Sequence, residues 1–106
     1  MRRINKFESI IEVSGDMRVP ATVFTPEGME VEEGAIEQLK AGASLPNVCF
    51  AGATPDIHQG HGVPIGSVLG FGSTISPAAI GFDINCGMRL HTTGIPVDKF
   101  DVAKVA

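Results

Sequence analysis

Asp83-Ile84-Asn85-Cys86-Gly87-Met88 places a carboxylate and a thiol three residues apart in a stretch of turn-formers. On an extended chain Asp83 and Cys86 would point to opposite faces. A turn at Asn85 and Gly87 would bring them together. A carboxylate with a thiolate suits borderline divalent ions such as Zn, Mn, Co or Fe. Two ligands are too few for any of these, so the rest of such a site has to come from elsewhere. The alternative is a small buried Cys in a turn, with the Asp83 carboxylate accepting backbone N–H bonds.

Pro55-Asp56-Ile57-His58-Gln59-Gly60-His61-Gly62 is the second candidate. Asp56 and His58 are two residues apart and share a face if the segment is a strand. A carboxylate beside an imidazole can orient it, or can act as a base itself. His58 and His61 also form an H-x-x-H pair. The competing reading is an Asx-type turn in which Asp56 bonds backbone N–H groups and His58 is simply a satisfied polar residue.

Other residues carry weaker signals. Gly70-Phe71-Gly72-Ser73-Thr74 lacks the Lys of a phosphate-binding P-loop and the third Gly of a dinucleotide fingerprint, so it reads as a hairpin or bulge. His91 reads as a structural or surface residue. Cys49, inside the apolar run Asn47–Ala51, reads as core.

The elements that must carry these groups can be outlined from periodicity. Residues 17–24 partly alternate apolar and polar and predict a strand, with Pro20 suggesting a sheet edge. Thr25-Pro26-Glu27-Gly28 signals a turn. Ala35, Ile36 and Leu39 fall at helical spacing within 31–41, with Gly42 as a stop and Gly34 as a weakness. Asn47–Ala51 predicts a short buried strand. Residues 52–94 hold most of the thirteen Gly and all three His, with Arg89 the only basic residue and Asp56 and Asp83 the only acids. Short strands joined by tight glycine turns are expected there. Pro96 to Ala106 predicts a helix cut off after its second turn.

A chain of 106 residues with 43% hydrophobic residues is one small domain or part of a larger one, with enough apolar content to escape wholesale disorder. No Trp or Tyr and only six Phe leave the core short of bulky residues. The net charge of −4 argues against a self-sufficient nucleic-acid binder, although a basic surface can lie in another part of a larger protein. Cys49 and Cys86 do not form a secreted-type framework, no signal peptide follows Arg2 and Arg3, and no run approaches a membrane span of roughly 20 residues. The expectation is a cytoplasmic chain with reduced thiols and no membrane partner.

Together the motifs become specific. Pro55-Asp56-Ile57-His58-Gln59-Gly60 with Gly62, Pro64-Ile65-Gly66, Ile75-Ser76-Pro77 and Gly81-Phe82-Asp83-Ile84-Asn85-Cys86-Gly87 follow in one order at short spacings. This resembles the RtcB-type RNA ligases, the tRNA-splicing ligases. Met17-Arg18-Val19-Pro20 also resembles an early segment of that family. The resemblance covers nearly the whole chain, most securely Met17 to Thr93.

The resemblance implies an enzyme that joins an RNA 3′-phosphate or 2′,3′-cyclic phosphate to a 5′-hydroxyl, in tRNA splicing or RNA repair. It implies GTP as cofactor, which guanylylates a histidine before the guanylyl group passes to the RNA 3′-phosphate. It also implies two Mn²⁺ ions, with Asp83 and Cys86 as metal ligands and Cys86 bridging both. Asp56 maps near the RNA-end site, and His58 to a supporting position behind the groups that touch metal or RNA. His61 maps to no fixed role. RNA, as tRNA halves or broken RNA, is the implied partner, together with a ligase-activating protein.

One departure from the family pattern matters. The guanylylated histidine, the other metal-binding histidines and most of the guanine pocket lie downstream in the family, and His58, His61 and His91 match none of those positions. The expectation is therefore a single partial domain over 1–106, the N-terminal portion of a larger ligase and inactive alone. Within it, 1–47 is scaffold, 48–95 the glycine-rich metal-site region and 96–106 a truncated helix. The fold class is α+β, with short, mostly antiparallel strands, glycine-rich turns and one or two helices. Isolated, such a piece would expose surface meant for the rest of the enzyme and be marginally stable or prone to aggregate. The alternatives are a small non-catalytic metal-binding module using Asp83, Cys86 and a histidine, one chain of a split ligase, and a non-ligase paralogue on the same scaffold.

Overall fold

Alternating apolar residues and one amphipathic helix produce a sheet covered on one face. The computed structural model describes residues 1–81, 84, 86 and 89–105. Five strands run in spatial order of sequence: β1 (Arg2–Asn5), β2 (Glu8–Ile11), β3 (Ala21–Val23), β4 (Val48–His58) and β5 (Ile65–Phe71). Among the described residues only β3 and β4 pair in parallel; the other three pairings are antiparallel. Parallel neighbours need a crossover, and helix α1 (Glu33–Gly42) supplies it. The arrangement is α+β and mostly antiparallel, as expected.

Ala35 and Leu39 of α1 pack on Ile11, Ala21, Val23, Ala51, Ala53 and Ile57 of the sheet. Small side chains on the strands let the helix approach closely, and Leu39 fills the gap as the largest fully buried side chain. Away from α1 the sheet is open. Phe24, Phe50 and Val68 are exposed there.

Several expectations need correction. The strand expected over 17–24 is only Ala21–Val23, and it is central rather than at an edge. Pro20 is compatible with this because it sits just ahead of the strand, so its missing N–H interrupts no ladder bond. Ahead of it, the Arg18 N–H donates to Ala43 O at 2.9 Å, tying the segment to the end of α1. Helix α1 does end at Gly42, but not because that glycine adopts a left-handed turn. The following Ala43 is right-handed, and a Cβ on Gly42 would lie 3.2 Å from the Leu69 methyls. Gly42 serves close packing. The left-handed residue is Asn47, at φ 61°, just before β4.

Strand β4 is longer than the expected 47–51 and carries the Pro55–His58 motif itself. Cys49 is exposed, not core, since β4 buries only Val48, Ala51, Gly52, Ala53 and Ile57. Gly70 and Phe71 belong to β5 rather than to a hairpin turn. The C-terminal helix is split into a 3-10 turn, Val97–Lys99, and a short α2, Val102–Val105, because Phe100 is extended.

Thr25 follows β3 and is 1% exposed, yet among the described residues its hydroxyl finds no partner. A buried unsatisfied hydroxyl costs about 1–3 kcal/mol. Thr25→Val keeps the shape and removes that cost. Urea titration is expected to show the variant more stable by about 1 kcal/mol with an unchanged m-value.

Candidate functional site

The β4–β5 hairpin ends in a loop over 59–64, and Asp56 and His58 stand at the end of β4 beside it. Ile57 is 6% exposed and turned into the core, so the flanking Asp56 and His58 face away from it. Asp56 is exposed and His58 half-buried. The shared face expected from their spacing is present, but the expected carboxylate–imidazole pair is not what holds the ring. His58 Nδ1–H donates to the backbone carbonyl of Asp56 at 2.7 Å. That bond fixes the tautomer of the neutral ring and leaves Nε2 as the acceptor. It also leaves the Asp56 carboxylate available to another group.

The register between β4 and β5 breaks between Ala53 and His58, so residues 54–57 lack regular ladder pairing. Thr54 Oγ1 donates to Gly66 O at 3.0 Å within this stretch. Beyond it the chain is held by helix α1. Gln38 Nε2 donates to Gly60 O at 2.7 Å, and the Gly60 N–H donates to Gln38 Oε1 at 2.9 Å. The Gln59 N–H donates to Glu32 Oε2 at 3.0 Å. Gly60 itself tolerates no side chain, because a Cβ would lie 2.6 Å from Val63 O.

The glycine that weakened the helix pattern lies at the same contact, against the end of an exposed side chain that can move aside. A Cβ on Gly34 would lie 2.6 Å from Gln59 Oε1. The Gln59 amide lies against the first turn of α1. Sequence reasoning missed Gln38 and Glu32. The only available signal was a polar Gln flanking the apolar stripe of Ala35 and Leu39, together with an unexplained Gly34.

Chain direction then leads to the thiol. After β5, Pro77 opens a 3-10 turn, Pro77–Ala79. Ile75 and Ser76 line a shallow cleft of about 270 Å³ against Ser67, Leu69 and Phe71 of β5. The D-x-x-C signature follows. Cys86 is exposed, and Asp83 lies outside the described residues. His61 and His91 are both exposed. Among the described residues no three His, Cys, Asp or Glu side chains gather into a metal-holding group. An exposed thiol, with a carboxylate three residues before it in the sequence, fits part of a divalent-metal donor set by its chemistry.

Comparison with known proteins gives one consistent result. The family profile described as tRNA-splicing ligase RtcB matches residues 38–106. A tRNA-splicing ligase RtcB of Archaeoglobus fulgidus is 40% identical over 77% of this chain and 18% of its own length. The protein of the same name from Thermococcus kodakarensis is 36% identical over 93% of this chain and 22% of its own length. That of Methanococcus maripaludis is 41% identical over 74% of this chain and 18% of its own. The chain thus spans about a fifth of the length of the curated relatives it matches. No helix among the described residues is long and apolar enough to cross a membrane.

Proposed function

Because the chain belongs to the RtcB family, we propose that it works as the N-terminal part of a GTP- and Mn²⁺-dependent RNA ligase, supplying two metal ligands and an RNA-end loop. The reaction is the joining of an RNA 3′-phosphate or 2′,3′-cyclic phosphate to a 5′-hydroxyl, in tRNA splicing or RNA repair. The observation that carries this reading is the exposed Asp56 carboxylate at the end of β4, beside a loop held by α1, in a chain matched by the family over 38–106.

Each residue takes a limited role. Asp83 and the Cys86 thiolate would hold Mn²⁺, with the remaining ligands and the guanylylated histidine supplied from outside this segment. When bound, Mn²⁺ neutralises phosphate charge and orients an attacking group. Asp56 accepts a hydrogen bond from the 5′-hydroxyl and can take its proton as that oxygen attacks. His58, through its bond to Asp56 O, stiffens the backbone that carries this carboxylate. RNA is the partner, with a ligase-activating protein as a further one, and the place of action is the cytoplasm.

The test compares the 106-residue chain with the full-length ligase, using RNA carrying a 3′-phosphate and a 5′-hydroxyl. The isolated chain is expected to show neither guanylylation nor ligation; turnover by the pure chain overturns the assignment of those steps to other residues. In the full-length ligase, Asp56→Asn is expected to slow ligation by about a hundredfold while GTP-dependent guanylylation persists. Equal loss of both steps would remove Asp56 from the RNA-end site.

A further inference from the structure

We propose that Gln38 is a positioning residue for the RNA-end loop: from helix α1 it sets where the Asp56 carboxylate and the His58 ring stand, with Glu32 as a second support. The proposal rests on the RNA-end reading of Asp56 given above.

Three hydrogen bonds carry it. Both polar atoms of the Gln38 amide engage one residue, at 2.7 Å to Gly60 O and 2.9 Å from Gly60 N–H. The pair reproduces the pattern by which a neighbouring strand would bind this backbone. Glu32 Oε2 accepts from the next backbone N–H, that of Gln59, at 3.0 Å. Two consecutive loop residues are thereby fixed to a helix whose Ala35 and Leu39 are fully buried, so the loop shares the rigidity of the core.

The need for such a clamp follows from the break in the ladder. Residues 54–57 have irregular pairing with β5, and Asp56 lies inside that interval. Ile57, buried in the core, fixes the chain immediately after Asp56, and the clamp fixes it at 59–60. Without the clamp, Asp56 and His58 sit on a strand end anchored by Ile57, the His58–Ile65 pairing and the Thr54 bond to Gly66 O, and the loop after it loses its bonds to α1. An amide also suits the place. It donates and accepts with no net charge, so it adds no repulsion beside a loop that meets phosphate-bearing RNA ends.

The substitutions that test this separate hydrogen bonding from packing. Gln38→Met keeps the length and helix preference of the side chain and removes both bonds. Gln38→Glu keeps an acceptor for Gly60 N–H and loses the donor to Gly60 O. In the full-length ligase, Gln38→Met is expected to lower kcat for ligation by roughly tenfold to a hundredfold, the range that a misplaced reacting group costs. KM for RNA, the rate of guanylylation and the circular dichroism spectrum should stay as in the parent protein, and Gln38→Glu, whose carboxylate would face the Gly60 carbonyl oxygen, should lose at least as much kcat. Gln38→Met ligating at the parental rate overturns the proposal. So does a parallel fall in guanylylation, which would mark general damage. If the parent protein itself ligates no RNA, the ligase reading fails and the positioning role fails with it. An active parent with an unaffected Gln38→Met variant sinks the positioning role alone.

Discussion

Cys86→Ala in the full-length ligase is expected to reduce ligation to background, while Cys49→Ala leaves it unchanged. Both thiols are exposed, so exposure does not distinguish them. Their surroundings do. Cys49 lies within strand β4, with its sulfur 3.7 Å from where a Cβ on Gly70 of the neighbouring strand would stand. Cys86 follows the 3-10 turn and comes three residues after a carboxylate. Losing a group that merely supports a metal ligand costs about tenfold to a hundredfold, and losing a ligand costs more. Co²⁺ in place of Mn²⁺ gives a readout independent of catalysis, since a thiolate bound to Co²⁺ has a charge-transfer absorption. The band is expected in the parent and in Cys49→Ala, and should be missing in Cys86→Ala. A band that survives loss of Cys86 would remove the thiolate from the metal site. Metal bound tightly and stoichiometrically by the 106-residue chain alone, with no contribution to ligation in the full-length protein, would favour the metal-module alternative.

Leu39→Ala is expected to cost about 2–5 kcal/mol of stability. Leu39 is completely buried, and its neighbours in the core are mostly Ala and Val. Small β-strand residues cannot collapse far enough to fill the space a Leu leaves. A domain of this size has roughly 5–15 kcal/mol in total. The open sheet face bearing Phe24, Phe50 and Val68 adds apolar area that remains in water, which places the isolated chain toward the lower end. The variant should therefore populate unfolded or aggregated chains at 25 °C, seen in urea titration and by light scattering. Leu90→Ala is the control: Leu90 is 94% exposed, and its change should stay within about 0.5 kcal/mol. Equal effects at the two positions would mean that α1 does not hold the sheet. Because Gln38 lies on the same helix, a weakened core would also loosen the loop that follows Asp56 and His58.

Local patterns in the chain were enough for some of this. The spacing of Ala35, Ile36 and Leu39 predicted α1 to within a few residues, because a 3.6-residue period reports a buried stripe. The ordered P-D-x-H-x-G and D-x-x-C motifs pointed to the ligase family before any fold was known, because specific chemistry leaves residue types at set distances along the chain. The α+β class followed from short apolar runs separated by glycine.

Other features depended on contacts between distant residues. Pro20 suggested an edge strand, but β3 became central because β2 and the α1 crossover to β4 flank it. Cys49 sat in an apolar run, yet β4 is irregular between Val48 and Phe50 and leaves it exposed. Asp56 and His58 shared a face as their spacing required, while the bond between them went through the Asp56 carbonyl. Gln38 and Gly60 are 22 residues apart, and no period or motif links them. The chain by itself determined the family, the fold class and which residues could do chemistry, since each is written in local order. Only the tertiary structure decided that α1 holds the loop next to Asp56, since that depends on how helix and sheet pack and on the register at which β4 meets β5.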